Sequence, residues 1–230
     1  MFKYILPLMV AFSVYADDNQ ITIEQSGNSF ELDITQVGHG NIIRRWRTTD
    51  NGIIGADNVI TIRQHNNLGG SSDKNILEIR QVVGQGNNLV LGQGYVVDSS
   101  GSYSLDDTEY GDTFAHINIT GDYNDVAMQQ TTGGQDPGGH IYYLHVEGDN
   151  NDIYTKQQGG DQYINLDIYN DGNNVEIRQK NNGDHYASVV LGGTEPTSIY
   201  VMQNGWSNNT YSVTNYCYTS GGCNISVSQE

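Results

Sequence analysis

Basic side chains are scarce in this chain: 10 Lys plus Arg stand against 27 Asp plus Glu in 230 residues, a net charge of −17. Phosphate recognition needs a cationic face, which makes nucleic acid a poor partner. Long apolar runs are lacking too. The run from Ile5 to Val14 is well short of the roughly 20 residues a membrane span requires, and no later segment is apolar enough to span. Cysteine is limited to Cys217 and Cys223, which bracket Tyr-Thr-Ser-Gly-Gly. Two thiols with no His beside them make a poor metal site, so a disulfide closing a small loop is expected. Signatures of catalysis are also missing. Six His are scattered at 39, 65, 116, 140, 145 and 185 without metal-ligand spacing, and no nucleophile elbow or glycine-rich phosphate loop follows a strand. No enzymatic activity, cofactor or resident metal is expected.

What is present is polar but uncharged. Charged residues make up 16%, beside 28 Gly, 16 Tyr and only 3 Pro. The apolar residues are periodic rather than absent, which argues against a disordered acidic segment. Residues 1–16 read as a signal peptide, with Lys3 as n-region, Ile5 to Val14 as apolar core and Val14-Tyr15-Ala16 as the cleavage site before Asp17. The mature chain, 17–230, is then expected to be a single secreted domain.

One unit organises that domain. In ELDITQVGHGN, Glu31 to Asn41, Leu32 and Ile34 alternate with Asp33 and Thr35, and Gln36 falls on the same face. Gly38, Gly40 and Asn41 supply turn chemistry. The strand pattern, apolar-x-apolar-x-Gln, recurs ten times. Its predicted core positions include Ile21 and Ile23, Leu32 and Ile34, Ile60 and Ile62, Leu77 and Ile79, Val126 and Met128, Val175 and Ile177, and Ile199 and Val201. Its glutamines are Gln25, Gln36, Gln64, Gln81, Gln93, Gln130, Gln157, Gln179, Gln203 and Gln229. Partner strands without the glutamine, such as those at Leu144 and Val146 or Leu166 and Ile168, recur at about 22–23 residues, a solenoid period.

The expected fold is therefore an all-β solenoid of seven or eight two-stranded coils, about 22–23 residues each, with two facing parallel sheets. At a coil spacing near 4.8 Å it would be roughly 35–40 Å long. Inward glutamines would hydrogen-bond along the axis as a ladder that sets register. An Asn precedes several strands, at Asn19, Asn58, Asn75, Asn124, Asn151 and Asn173, with the same choice between turn residue and ladder, and the turn is favoured.

The paired halves, with Gln25 and Gln36 eleven apart and G-x-G-N or G-N between strands, resemble the repeats of curlins, the subunits of curli fibres. ELDITQVGHGN, LEIRQVVGQGNN and NVEIRQ carry the likeness. It implies a secreted subunit that stacks end to end into an amyloid-like extracellular fibre for adhesion or biofilm matrix. It also implies an outer-membrane secretion pore and a nucleator as partners, with Gln25, Gln36, Gln81, Gln93 and Gln179 as assembly residues.

Departures from the pattern mark expected insertions near 44–57, 94–113 and 132–139. Arg44, Arg45, Trp46 and Arg47 interrupt a half-repeat and read as a bulge or excursion. The Cys pair lies outside the curlin pattern, which keeps a second function open: a monomeric, virion-linked or surface-linked solenoid adhesin that binds carbohydrate. Tyr142, Tyr143, Tyr154, Tyr163 and Tyr169 would then form a solvated face stacking on surface glycans, although tyrosines are also ordinary strand residues. Acidic turns around Asp122, Asp149 and Asp171 recur on successive coils. They are either simple turn residues or a column bridged by calcium.

Overall fold

Alternating apolar and polar residues dictate strands with one buried face, and the computed structural model stacks them into two parallel sheets. It describes residues 19–45, 52–66, 74–97, 103–105, 113–131, 139–180, 184–205 and 207–229. The proposed signal peptide, Trp46, Arg47 and Trp206 lie outside the described residues.

The first sheet holds the glutamine motif. Its strands, in spatial and chain order, are Glu31–Gly38, Val59–Asn66, Asn88–Gln93, Asp125–Gln130, Asp152–Tyr154, Asn174–Ile177, Thr197–Gln203 and Cys223–Gln229. The opposite sheet runs through Gln20–Ile21, Asn41–Arg45, Asn75–Val83, Thr113–Thr120, His140–Val146, Tyr163–Ile164, Tyr186–Gly193 and Thr210–Cys217. Two short strands, Gln25–Ser26 and Gly52–Ile54, extend its first coils. Every pairing within these two sheets is parallel and joins neighbouring coils. The chain is a β-solenoid of two facing sheets.

Between the sheets, Ile60, Ile62, Leu77, Ile79, Val126, Met128, Val175, Ile177, Ile199 and Val201 are buried in one continuous cluster. Ile23, Leu32 and Ile34 pack against it partly buried, and Ile21 stays 39% exposed. The reason is position: the first coil has a neighbour on one side only.

The two kinds of corner differ sharply. From the opposite sheet into the glutamine sheet, the turns are short and alike: 55–58, 84–87, 121–124 and 148–151 each start with Gly and end with Asn. Their third residue is left-handed, at Asp57, Gly86, Tyr123 and Asn150. Successive turns stack backbone on backbone. A Cβ on Gly55 would stand 1.6 Å from the carbonyl oxygen of Gly84, and one on Gly84 1.9 Å from that of Gly121. Only a residue without a side chain permits that approach.

The longest insertions fall at the other corner. Equivalent residues on successive coils are 22 to 37 apart, with intermediate spacings of 24, 26, 27, 28 and 29. The uniform period of 22–23 is thus the minimal coil; the coils of 29 and 37 carry extra residues on leaving the glutamine sheet, the coil of 28 carries them between Arg45 and Gly52, and the coil of 26 carries them in its final turn. Within 94–113, Tyr95–Val97 and Tyr103–Leu105 pair antiparallel as a small hairpin, and Thr113 already opens a strand. Near 44–57 the expected excursion is narrower. Arg44 and Arg45 remain paired with Glu78 and Ile79 in the sheet, Arg44 Nε donating to Glu78 Oε1 at 2.7 Å. The sheet resumes at Gly52, and 46–51 lie outside the described residues.

Candidate functional site

Eight of the ten motif glutamines align in a single inward column. Pairing places Gln36, Gln64, Gln93 and Gln130 on successive coils, and Gln203 directly beside Gln229. Gln64, Gln130, Gln157, Gln179 and Gln203 are wholly buried, and Gln93 nearly so. Gln36 Nε2 donates to Gln64 Oε1 at 2.8 Å, Gln64 Nε2 to Gln93 Oε1 at 2.6 Å, and Gln93 Nε2 to Gln130 Oε1 at 3.0 Å. Gln203 Nε2 continues in the same direction to Gln229 Oε1 at 2.9 Å. Between them the direction reverses, with Gln179 Nε2 donating back to Gln157 Oε1 at 3.3 Å.

The corner explains why glutamine, and not leucine, occupies this column. Where the chain leaves the glutamine sheet, carbonyls at the start of the opposite strand lie close to the core. The glutamine amides reach them. Gln64 Nε2 lies 3.2 Å from the Ile42 carbonyl, Gln93 Nε2 3.1 Å from that of Ile76, and Gln130 Nε2 3.0 Å from that of Phe114. One amide therefore bonds along the axis and across the core, which an apolar side chain would leave unsatisfied.

Gln25 and Gln81 belong to neither role. Both sit in the opposite sheet, where Gln25 pairs with Ile53 and Gln81 with Asn118. The Asn75–Val83 strand bulges beside Ile79, so that Val82 turns inward, fully buried, and Gln81 turns outward to donate to Thr120 Oγ1 at 3.0 Å. A one-residue slip exchanges the faces of a strand, and here it moves the motif glutamine out of the core.

Asparagine forms a second ladder, the alternative that the sequence reading set behind a simple turn role. Asn58, Asn87, Asn124, Asn151 and Asn173 are buried at the uniform corner. Each Oδ1 accepts both the backbone N–H and the side-chain amide of the next Asn. For Asn87 on Asn58 both distances are 3.0 Å, and for Asn173 on Asn151 they are 3.0 and 2.8 Å. Asn19, Asn41 and Asn75 start a shorter column in the opposite sheet. Stacked Gly-x-x-Asn turns were the signal available for Asn87, which fits the same pattern as the residues already singled out.

The acidic turns bond to backbone. Asp122 Oδ1 accepts the Gln85 N–H at 2.8 Å, Asp149 Oδ1 that of Asp122 at 2.7 Å, and Asp171 Oδ1 that of Asp149 at 2.9 Å. Each carboxylate thus ties its turn to the coil before it. Among the described residues, no group of three or more His, Cys, Asp or Glu could hold a metal ion.

Among the described residues, both ends of the solenoid present strands without a neighbour on their outer side. Thr210–Cys217 and Cys223–Gln229 are the last members of their sheets and contain no charged residue. Cys217 and Cys223 form a disulfide across the final turn, with Cys217 fully buried. The bridge fastens the last coil to itself without covering its outer edge. At the other end, Glu31–Gly38 and the short Gln20–Ile21 strand are likewise terminal.

Tyrosines divide between faces. Tyr142 is wholly buried inside the core and Tyr154 lies 9% exposed on the glutamine sheet beside Arg178, so neither belongs to a solvated aromatic face. Tyr142 points inward because it pairs with Ala115 in an inner column, where alanine leaves room for the ring. Tyr143 and Tyr163 do lie outside on the opposite sheet, in a run of rings. Centroids are 6.0 Å apart for Phe114 and Tyr143, 5.7 Å for Tyr143 and Tyr163, and 4.9 Å for Tyr163 stacked on Tyr186.

The fold thus defines a two-sheet parallel β-solenoid with internal amide ladders and open ends. Compared with known proteins, the chain matches no family model, no curated protein and no solved structure. No helix among the described residues is long and apolar enough to cross a membrane.

Proposed function

We propose that this protein is a secreted structural subunit that polymerises by stacking its last coil on the first coil of the next copy, giving a curli-like extracellular fibre. The last coil, whose terminal strands Thr210–Cys217 and Cys223–Gln229 carry no charge, carries this reading. A strand edge that avoids charge and proline is a template for another chain, and soluble proteins normally block such edges.

Complementarity between the two ends supports it. In the register used inside the chain, Ile225 would lie over Leu32, Val227 over Ile34 and Gln229 over Gln36 of the next copy. Outward Asn224 and Ser226 would face Glu31 and Asp33, so no like charges meet. Bond direction also continues: Gln36 uses its amide nitrogen within the chain, leaving Oε1 as acceptor, while Gln229 Oε1 is already engaged by Gln203. The Gln229 amide then becomes the donor to the next Gln36. Adhesion or a biofilm matrix, with a nucleator and an outer-membrane pore as partners, is the setting that the curlin resemblance implies.

Val227→Lys tests the reading. It places a charge on the inner face of the open end, where the single chain leaves this residue half-buried. The monomer should melt as the parent does, and thioflavin fluorescence should no longer rise after seeding. Elongation at the parent rate would overturn end-to-end stacking.

A further inference from the structure

A groove on the outer face of the opposite sheet takes no part in stacking. It has a volume of about 590 Å³, walled by Tyr169, Tyr216 and Tyr218, with Asp167, Val190 and Gly192 among its lining. The topology builds it simply. Tyr169, Gly192 and Tyr216 occupy one outward column on three successive coils, so the glycine leaves a gap between two rings. A side chain there would close it: a Cβ on Gly192 would stand 2.8 Å from the Tyr216 ring. The rings are available, with Tyr169 48%, Tyr216 58% and Tyr218 69% exposed.

The charge of the groove is one-sided. Asp167 lies one column inward from Tyr169, and its nearest basic group is His145, with Nδ1 3.8 Å away. That imidazole is shared, because its Nε2 is 3.0 Å from Glu147 Oε1 and its ring stands edge-on to Tyr169 at 5.4 Å. Two carboxylates therefore compete for one imidazole, and partial burial pushes the Asp167 carboxyl up from its ordinary range. Among the described residues, no Lys or Arg lines the groove. A carboxylate so placed is best satisfied by a cation, and tyrosine faces attract cations and pack against C–H surfaces.

We infer that this groove binds an amino sugar, a pyranose bearing a protonated amine, with its C–H face on Tyr169 and Tyr216 and its ammonium group on Asp167. The ring supplies the flat apolar surface that an open, two-walled groove requires, and the ammonium supplies the missing counter-charge. Anionic glycans are disfavoured by the same carboxylates and by the net charge of −17. Because the groove faces sideways, it would be available in a monomer and along a fibre alike, and its test does not depend on assembly.

Calorimetric titration of the monomer with a β-1,4-linked glucosamine hexaose, and separately with the N-acetylglucosamine hexaose, tests the assignment. Saturable heat is expected with the free amine and at least tenfold weaker binding with the acetylated form. The double variant Tyr169→Ala, Tyr216→Ala and the single variant Asp167→Asn should each lose at least tenfold affinity without a change in melting temperature. Asp57→Asn, which removes the same charge from a distant exposed turn, should bind as the parent does. No saturable heat at millimolar ligand, equal binding of the two hexaoses, or an equal loss in Asp57→Asn would each overturn it.

Discussion

Replacing Gln93 by Leu isolates what the inner amide does, because the two side chains have similar volume. Gln93 is 1% exposed; its Nε2 donates to Gln130 Oε1 at 3.0 Å and to the Ile76 and Thr113 carbonyls at 3.1 and 3.3 Å, while its Oε1 accepts from Gln64 at 2.6 Å. Leucine would take a hydrogen bond from three buried polar groups: Gln130 Oε1, the Thr113 carbonyl and the Gln64 amide. At about 1–3 kcal/mol for each, the loss is about 3–9 kcal/mol, of which burying the leucine returns roughly 2 kcal/mol. A net cost of about 1–7 kcal/mol is therefore expected by urea denaturation of the monomer. Gln81→Leu is the internal comparison, since that glutamine shares the motif but faces outward to Thr120. Its cost should stay within about 0.5 kcal/mol, as for surface positions generally. Equal effects at the two positions, or a Gln93→Leu protein as stable as the parent, would refute the ladder as a stabilising element.

Burial pushes the His140 imidazole down from 6.5 to about 4, so the folded chain binds fewer protons than the unfolded one between those values. Stability should be fully present above pH 6.5 and fall by up to about 3 kcal/mol as pH drops to 4, and His140→Gln should flatten that part of a melting-against-pH curve. Gly84→Ala places a Cβ 1.9 Å from the Gly121 carbonyl at φ +142° and should cost more than about 3 kcal/mol or prevent folding. Gly172→Ala, whose nearest atom is 3.6 Å away, should cost only about 1 kcal/mol from its left-handed backbone; comparable melting of the two would contradict the stacked-turn account. Reducing the Cys217–Cys223 bridge, which spans 6 residues, should remove about 2 kcal/mol from the last coil, seen as faster amide exchange confined to 210–229.

Much of the glutamine sheet was legible from residues alone. Leu32, Ile60, Leu89, Val126, Ile153, Val175, Ile199 and Ile225 each open the same motif, and period-two alternation tells which side is buried. The opposite sheet was harder to read. Gln25 and Gln81 carry the motif there, but a strand pattern contains no information about a bulge such as the one beside Ile79, so the inward place passed to Val82. The asparagine ladder was misjudged for a related reason. A turn residue and a ladder residue have the same local chemistry, and only the stacking of Gly55, Gly84 and Gly121 brings Asn58, Asn87 and Asn124 within bonding distance. Tyr142 shows the limit of composition: its neighbour Tyr143 is half out of the sheet while Tyr142 itself fills space over Ala115, a distinction set by register. The groove at Gly192 depends on three coils at once and had no signature in any single segment.

The central claim is that whole solenoids add end to end. Helical reconstruction of filaments grown from residues 17–230 measures it directly, because eight coils at about 4.8 Å each predict one subunit per roughly 38 Å along the axis, with a strong 4.7–4.8 Å layer spacing. One chain per roughly 4.8 Å would mean that the coil unfolds into an ordinary cross-β stack, and a persistent monomer after seeding would mean that the open ends do not assemble; either result would contradict the account.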